Sequence, residues 1–439
     1  MMGFPLLEIL KQLDILDIAV LGITGIILVY CFLSKKVHYL LFVLILSASF
    51  IGSTIPIIDN IASLTRWIII FLFLGMGLLQ TKVKISFGLI LWWAYVFLGF
   101  VFLLRANHLI WQFQRSTLLL MVSIAIPFTF SVVSYKNLKL SFVSISIAAS
   151  IYSIVNFLPL ASSLIDPIRY QGYAKGAATF AVVLGGLLPF MLWGFLSAYS
   201  KIINITCFLG FLLGFITLIF TGQRTGTIAG IISIIPLAIT RLNRRTTGWF
   251  LFLVIILSIL SIYVLRQSSL ERINFLLFRY SASSGLSYRE MIWEAALSEI
   301  AKSPILGRGV GAAETVISSS FHNAYLEVWF NTGFIGFLFF ITAQFYFLLR
   351  IIFMSLVNKY SEVKSTLALS LGYILSFMLM SLVESTGSTA SSVNLILFLF
   401  IGVYISSNEL TKFTCQAEIK EGIAYPAKIL RGAFEKNLS

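Results

Sequence analysis

The feature that most limits what this chain can fold into is a recurrence of apolar runs about 20 residues long, the length a helix needs to cross a hydrocarbon core of ~30 Å. Roughly 13 such runs can be placed, centred near residues 25, 48, 73, 95, 124, 150, 188, 211, 233, 257, 344, 375 and 398. Lipid offers no water to unpaired backbone groups, so each run must satisfy its own N–H and C=O groups as a helix. Composition agrees, since 59% of the 439 residues are apolar and only 11% are charged. The expected fold class is all-α, a polytopic transmembrane helix bundle of about 12–13 spans with one long extracytoplasmic helical loop. The expected organisation is ten transmembrane helices over residues 1–265, the loop over 266–332, further spans over 333–406 and a cytoplasmic tail over 407–439.

Lysine and arginine set the orientation, because short basic loops stay on the cytoplasmic side. Lys35/Lys36, Lys82/Lys84, Lys136/Lys139, Lys201, Arg241/Arg244/Arg245 and Lys359/Lys364 fall on every second connector. The tail adds Lys412, Lys420, Lys428, Arg431 and Lys436. Topology and anionic membrane lipid account for this share of the +14 net charge, and no nucleic acid partner is implied. Met1–Asp14 carries Glu8, Lys11 and Asp14 without a small-residue cleavage site, so the first span is expected to remain. Cys31, Cys207 and Cys415 suggest neither a disulfide nor a metal site.

The long loop then faces outward. It balances Arg266, Arg272, Arg279, Arg289, Lys302 and Arg308 against Glu271, Glu290, Glu294, Glu299, Glu314 and Glu327, a composition that should fold on the membrane surface. Ser287-Tyr-Arg-Glu290 fits a capping box that starts a helix. Apolar residues at 291, 292, 295, 296 and 300 mark its buried face, and Ser303-Pro304 stops it. Arg289 lies in its first turn, four residues before Trp293. Gly307-Arg-Gly-Val-Gly311 follows; it reads as a loop, with the alternative that its backbone amides meet a phosphate.

Two further stretches carry candidate chemistry. In "FTGQRTGTIAG" (residues 220–230), Gly222, Gly226 and Gly230 recur every fourth residue and would let a neighbouring helix approach closely. Arg224 lies among them at the outer end of a span, where it either snorkels or serves a ligand. In "SSSFHNAYLEVWFNTGFIGF" (residues 318–337) stands His322, one of three histidines, which is either a capping or interface residue or a general base. Asn323 beside it can orient the imidazole or cap the next helix. Glu327, five residues on, points about 140° away from His322 on an ideal helix and is not expected to be its partner. Arg66, Arg105, Arg115, Arg169 and Lys175 also map to the outer face, which is basic where few cations are expected, and so favours an anionic ligand.

Absent motifs narrow the chemistry. The four aspartates, Asp14, Asp17, Asp59 and Asp166, form no D-x-D pair to hold a cation on a diphosphate. No phosphate loop with Lys-Ser/Thr, no H-E-x-x-H pair and no G-x-S-x-G elbow occurs. Charge on an anionic leaving group would have to be met by arginine, whose planar fork binds phosphate oxygens in pairs.

The stretches "FTGQRTGTIAG", "LSYREMIWEAALSEIAKSPILGRGVG" and "FHNAYLEVWFNTGFIG" resemble successive signatures of the O-antigen ligase and polymerase superfamily. "RYQGYAKGAATFAVVLGGLLPF" (residues 169–190) is similar to the segment before a central span in that family, although Ala174-Lys-Gly-Ala stands where the family has Asn-Pro-like residues. The likeness covers about residues 160 to 405. It implies an inverting, metal-independent glycosyltransferase, without cofactor, in the bacterial cytoplasmic (inner) membrane with its active site facing the periplasm. Its donor would be an undecaprenyl-diphosphate-linked glycan and its acceptor a lipid A core or another lipid-linked glycan. The resemblance carries the family's functional arginines onto Arg224 and Arg289 and its histidine onto His322. Arg169, Asn323 and Arg308 are then candidates for holding the diphosphate or substrate. A ligase passes the glycan to lipid A core and a polymerase extends a lipid-linked repeat; a lipid-linked glycan transporter without chemistry is the reading from another class. The enzyme readings require Arg224, Arg289 and His322 to meet at one end of the bundle.

Overall fold

The computed structural model describes residues 30–34, 36–79, 85–105, 109–131, 133–163, 170–197, 200–241, 287–310, 312, 321–358, 360–385 and 392–406. Among them are twelve α-helices and one 3-10 turn, and no strand, so the bundle is all-α. In chain order the helices are α1 (Val37–Phe50), α2 (Pro56–Leu78), α3 (Phe87–Val101), α4 (Leu109–Phe130), α5 (Tyr135–Ser163) and α6 (Ala177–Leu196). They continue as α7 (Lys201–Phe220), α8 (Arg224–Arg241), α9 (Ser287–Ala301), α10 (Ala324–Val357), α11 (Ser361–Val383) and α12 (Val393–Ser406). Eleven of the expected span centres fall on α1–α8 and α10–α12; those near 25 and 257 lie outside the described residues. Among the described residues, seven helices are long and apolar enough to cross a membrane: α2, α4, α5, α6, α7, α10 and α11. Three shorter apolar ones, α1, α3 and α12, join them.

In α12 every residue from Val393 to Ile405 is buried, so this helix lies inside the bundle. Between apolar helices in lipid, close approach and hydrogen bonds replace the hydrophobic drive. Serines supply this on α5: Ser146 Oγ donates to Phe190 O at 2.7 Å on α6, and Ser153 Oγ to Gly210 O at 2.7 Å on α7. Gly226 and Gly230 of α8 work as the sequence suggests. Gly226 lies against the Ala181 and Gly185 backbone of α6, leaving no room for a methyl group. Gly222 behaves differently: it is exposed at φ 62° and forms the left-handed turn between α7 and α8.

The two ends of the bundle are distinct. At one, Arg241 Nη2 donates to Ser365 Oγ at 2.9 Å and Lys139 pairs with Glu362, so the basic ends of α5, α8 and α11 gather there. At the other, Ser53 and Ala174 form an isolated antiparallel bridge and Lys175 pairs with Asp59 at 2.7 Å. This second end also carries α9.

Helix α9 begins at Ser287, where the capping-box reading starts it, and ends before Ser303-Pro304. Its buried face is narrower than the pattern suggested. Ile292, Ala296 and Ile300 are buried against Ala312, Phe321 and Phe330 as a small separate core, while Met291 and Ala295 are exposed. Helix α10 starts at Ala324, earlier than the apolar run near Gly333, and kinks at Gly333 with φ 67° and ψ −178°. The kink frees carbonyls that the preceding loop takes up. Arg308 N donates to Phe330 O at 3.1 Å and Gly309 N to Asn331 O at 2.9 Å, while Phe334 N donates to Pro304 O at 2.9 Å. The glycine-rich loop is therefore a latch on the kink, and those two amides are committed to α10 rather than to a phosphate.

Candidate functional site

The site is assembled at the loop-bearing end by three chain segments. Helix α11 ends at Val383, and Glu384 follows as an extended C-cap whose N–H donates to Met380 O at 2.8 Å. The last carbonyls of a helix lack intrahelical donors. Arg289 from α9 supplies one: its Nη1 donates to Val383 O at 3.0 Å and its Nη2 to Glu384 Oε1 at 3.0 Å. The other carboxylate oxygen, Glu384 Oε2, lies 3.1 Å from His322 Nδ1. One carboxylate thus ties the arginine to the histidine.

His322 is held from both sides along the chain. Before it, Phe321 is fully buried in the small core, and its carbonyl accepts from Trp293 Nε1 at 2.8 Å. After it, Asn323 Oδ1 accepts from Tyr325 N at 3.0 Å and Leu326 N at 3.1 Å, so Asn323 caps α10. Between these anchors His322 takes φ 48°, the left-handed conformation and, apart from glycines, the one instance among the described residues. That geometry costs a non-glycine residue about 1 kcal/mol and is commonest where function demands a particular side-chain direction. The Arg289–Trp293 spacing also acquires a reason. Residues i and i+4 share a helix face, so α9 grips Val383–Glu384 with one side chain and Phe321 with the other.

Arg224 lies at the same end. Helices α8 and α11 run antiparallel, with Arg241 on Ser365, Ser233 O against Gly372, and Ala229 beside Met380. From that last contact, Arg224 is about 7.5 Å further along α8 and Glu384 about 6 Å further along α11, at 1.5 Å per residue. Arg224 is exposed there, on the first turn of α8.

Arg308 and Asn323 each have intramolecular partners. Arg308 Nη2 binds Glu299 Oε2 at 2.8 Å and its guanidinium stacks over Phe330 at 5.5 Å, at the far end of α9 from Arg289. Glu299 also takes a hydrogen bond from Lys302, which, with the nearby Arg308, holds its carboxyl below the usual carboxylate range. The Asn323 amide oxygen is committed to the cap. Arg169 lies outside the described residues.

Sequence reasoning did not find Glu384. Its signal was present: a lone carboxylate closing an apolar span ("LMSLVEST") at an end of the molecule otherwise rich in cations. The carboxylate on His322 comes from α11, 62 residues away in sequence.

These features define a polytopic all-α membrane protein in which α9 brings an arginine onto the carboxylate that also meets a histidine. Residues 209–341 match the family model described as O-Antigen ligase. That match runs from α7 through α8 and α9 into α10 and supports a likeness to the O-antigen ligase superfamily over those residues. No curated protein matches the chain. Arg224, Arg289, Arg308, His322 and Asn323 fall inside the matched stretch, and Glu384 falls beyond it.

Proposed function

We propose that the protein is an inverting, metal-independent membrane glycosyltransferase of the O-antigen ligase type. It would transfer a glycan from undecaprenyl diphosphate to a sugar hydroxyl of a lipid A core, on the periplasmic side of the inner membrane. The observation that carries this reading is the Glu384 carboxylate shared by Arg289 and His322. An ionised carboxylate only accepts hydrogen bonds, so it fixes the imidazole with its proton on Nδ1 and its lone pair on Nε2. That is the tautomer a general base needs.

In the reaction the acceptor hydroxyl oxygen attacks the anomeric carbon from the face opposite the diphosphate. His322 Nε2 takes the hydroxyl proton as the new C–O bond forms. The bond from the anomeric carbon to the diphosphate oxygen breaks, and its electron pair leaves on the lipid diphosphate. Arg224 and Arg289 meet that growing charge. A preorganised donor of this kind elsewhere contributes about 3 to 4 kcal/mol to the transition state. Arg224 stands on the first turn of α8, where the helix dipole adds to its attraction for phosphate.

Purified protein supplied with synthetic undecaprenyl-diphosphate glycan tests the reading. Undecaprenyl diphosphate should be released only when a lipid A core acceptor is present, and equally in the presence of a chelator. Release without acceptor, none with it, or loss on chelation with recovery on adding magnesium would each overturn the proposal.

A further inference from the structure

Among the cations that the catalytic reading does not use, Arg66 is buried. Arg66 sits on α2 among the buried residues Ala62, Thr65 and Ile69, and is only 7% exposed. Its Nε and Nη1 have no hydrogen-bond partner among the described residues. Asp59, the carboxylate whose charge acts on it, is already engaged by Lys175 Nζ at 2.7 Å and Gly52 N at 2.7 Å.

Other polar groups in the loop-side halves of α2 and α4 are buried and unsatisfied as well. Helices α2 and α4 run side by side in the same direction, with Thr129 Oγ1 donating to Phe73 O at 2.8 Å and the Phe73 and Phe130 rings 5.5 Å apart. Arg66 lies seven residues before Phe73, a climb of about 10 Å toward the loop-bearing end. The same climb along α4 from Thr129 reaches residue 122. Side chains lean toward the N-terminus of their helix, so Arg66 extends further, toward Thr117, Ser116 and Gln112. Thr65 Oγ1, Ser116 Oγ, Thr117 Oγ1 and both amide atoms of Gln112 are buried without a hydrogen-bond partner among the described residues. Such groups are rarely left unsatisfied in a native fold, and a charged one least of all.

We propose that Arg66, with Thr65, Gln112, Ser116 and Thr117, forms a phosphate-binding site between α2 and α4 that takes the headgroup of a membrane lipid. A guanidinium with Nε and Nη1 available, joined by hydroxyls and an amide from α2 and α4, would match the several acceptor oxygens of a phosphate. A lipid is the proposed source because both helices have membrane-spanning length and carry exposed apolar side chains, Ile57 and Phe71 on α2 and Ile110 and Phe113 on α4. The site is separate from the Arg289–Glu384–His322 constellation. Helix α2 packs chiefly on α1 and α4, whereas that constellation is built from α9, the start of α10 and the end of α11. The proposal does not rest on the transfer reading, because lipid binding is measured without acceptor.

The test uses the full-length protein in detergent and a synthetic polyprenyl monophosphate, with the matching uncharged polyprenol as control, bound lipid being counted by native mass spectrometry. The Arg224→Ala/Arg289→Ala double variant removes the proposed donor arginines. In that background one polyprenyl monophosphate should still bind, and no polyprenol. Adding Arg66→Leu should weaken this binding by about tenfold or more, as loss of a charge-assisted contact does, and Ser116→Ala should weaken it less. Thermal unfolding checks the fold, and Arg66→Leu should unfold no earlier than its parent, since it removes a buried charge without a partner. Absence of residual binding, equal binding of polyprenol, retention in Arg66→Leu, or full displacement by millimolar inorganic phosphate would overturn the lipid-phosphate assignment.

Discussion

Glu384 divides its carboxylate between two residues, Oε1 to Arg289 Nη2 at 3.0 Å and Oε2 to His322 Nδ1 at 3.1 Å. Its proposed role is to position the two, since it would touch neither sugar nor phosphate. Replacing it by Gln keeps the size but removes the charge that favours one tautomer and one guanidinium pose. Glu384→Gln is expected to lower kcat roughly 100-fold while KM for the lipid donor changes little. Glu384→Asp should recover part of the loss. Steady-state kinetics on the purified variants checks this; a rise in KM with kcat unchanged would mean that Glu384 serves binding or folding instead.

The left-handed backbone at His322 separates conformation from chemistry. With φ at 48°, a glycine fits there without strain, whereas alanine keeps the cost of about 1 kcal/mol. His322→Gly and His322→Ala should both abolish transfer yet still insert and bind donor. His322→Gly should also unfold at the higher temperature, as differential scanning fluorimetry would show. An active His322→Gly would remove the imidazole from the mechanism.

The helical span pattern was legible because membrane burial imposes a length and a composition that one sequence displays directly. Gly226 could be read as a close-packing residue for the same local reason, since its spacing is a helical period. The partner on the other side of each contact was not legible. Gly222 shares the spacing of Gly226 and Gly230, but it falls at a chain reversal. The amides of Arg308 and Gly309 were open to a phosphate until the kink at Gly333 was seen to consume them. Glu384 met His322 and Arg289 only through the antiparallel return of α11, a long-range pairing that no local period encodes.

Gly333 should be intolerant of any side chain. Its φ of 67° lies in the left-handed region, and a Cβ there would collide with the Ile305 carbonyl oxygen. Both elements belong to rigid backbone pairing between 304–309 and 330–334, so neither can move aside cheaply. Gly333→Ala is expected to destabilise the protein by roughly 2 kcal/mol or more, adding backbone strain to overpacking. Its yield and thermal midpoint in detergent would fall, and a midpoint equal to the wild type would contradict the kink geometry.

The segment that carries α9 should loosen in acid at the far end of that helix. Hydrogen bonding from Lys302, with the charge of Arg308, depresses the Glu299 carboxyl. A group depressed on folding contributes stability above its unfolded value, about pH 4.3 for glutamate, and loses it as pH falls through the lower folded value. Hydrogen exchange over 287–310 should therefore accelerate below about pH 4 in the wild type. Glu299→Gln should show little of this acid-dependent step. The effect is small because the group is partly exposed and screened.

Trp293 tests whether α9 positions the histidine as well as the arginine. Its indole N–H holds the carbonyl of Phe321, the residue before His322, at 2.8 Å, while its ring packs on the small core beneath. Trp293→Phe keeps most of the apolar contact and loses the hydrogen bond, a change of about 1 kcal/mol. If that bond merely stabilises the loop, the thermal midpoint falls and kcat stays. Should it aim the imidazole, kcat falls several-fold at saturating donor and acceptor, and imidazole added from solution restores less activity than it does to His322→Ala, because the misdirected ring still fills the site. The second pattern is expected, since the peptide bond is planar and φ, held at 48°, is the one backbone rotation between Phe321 O and the His322 side chain.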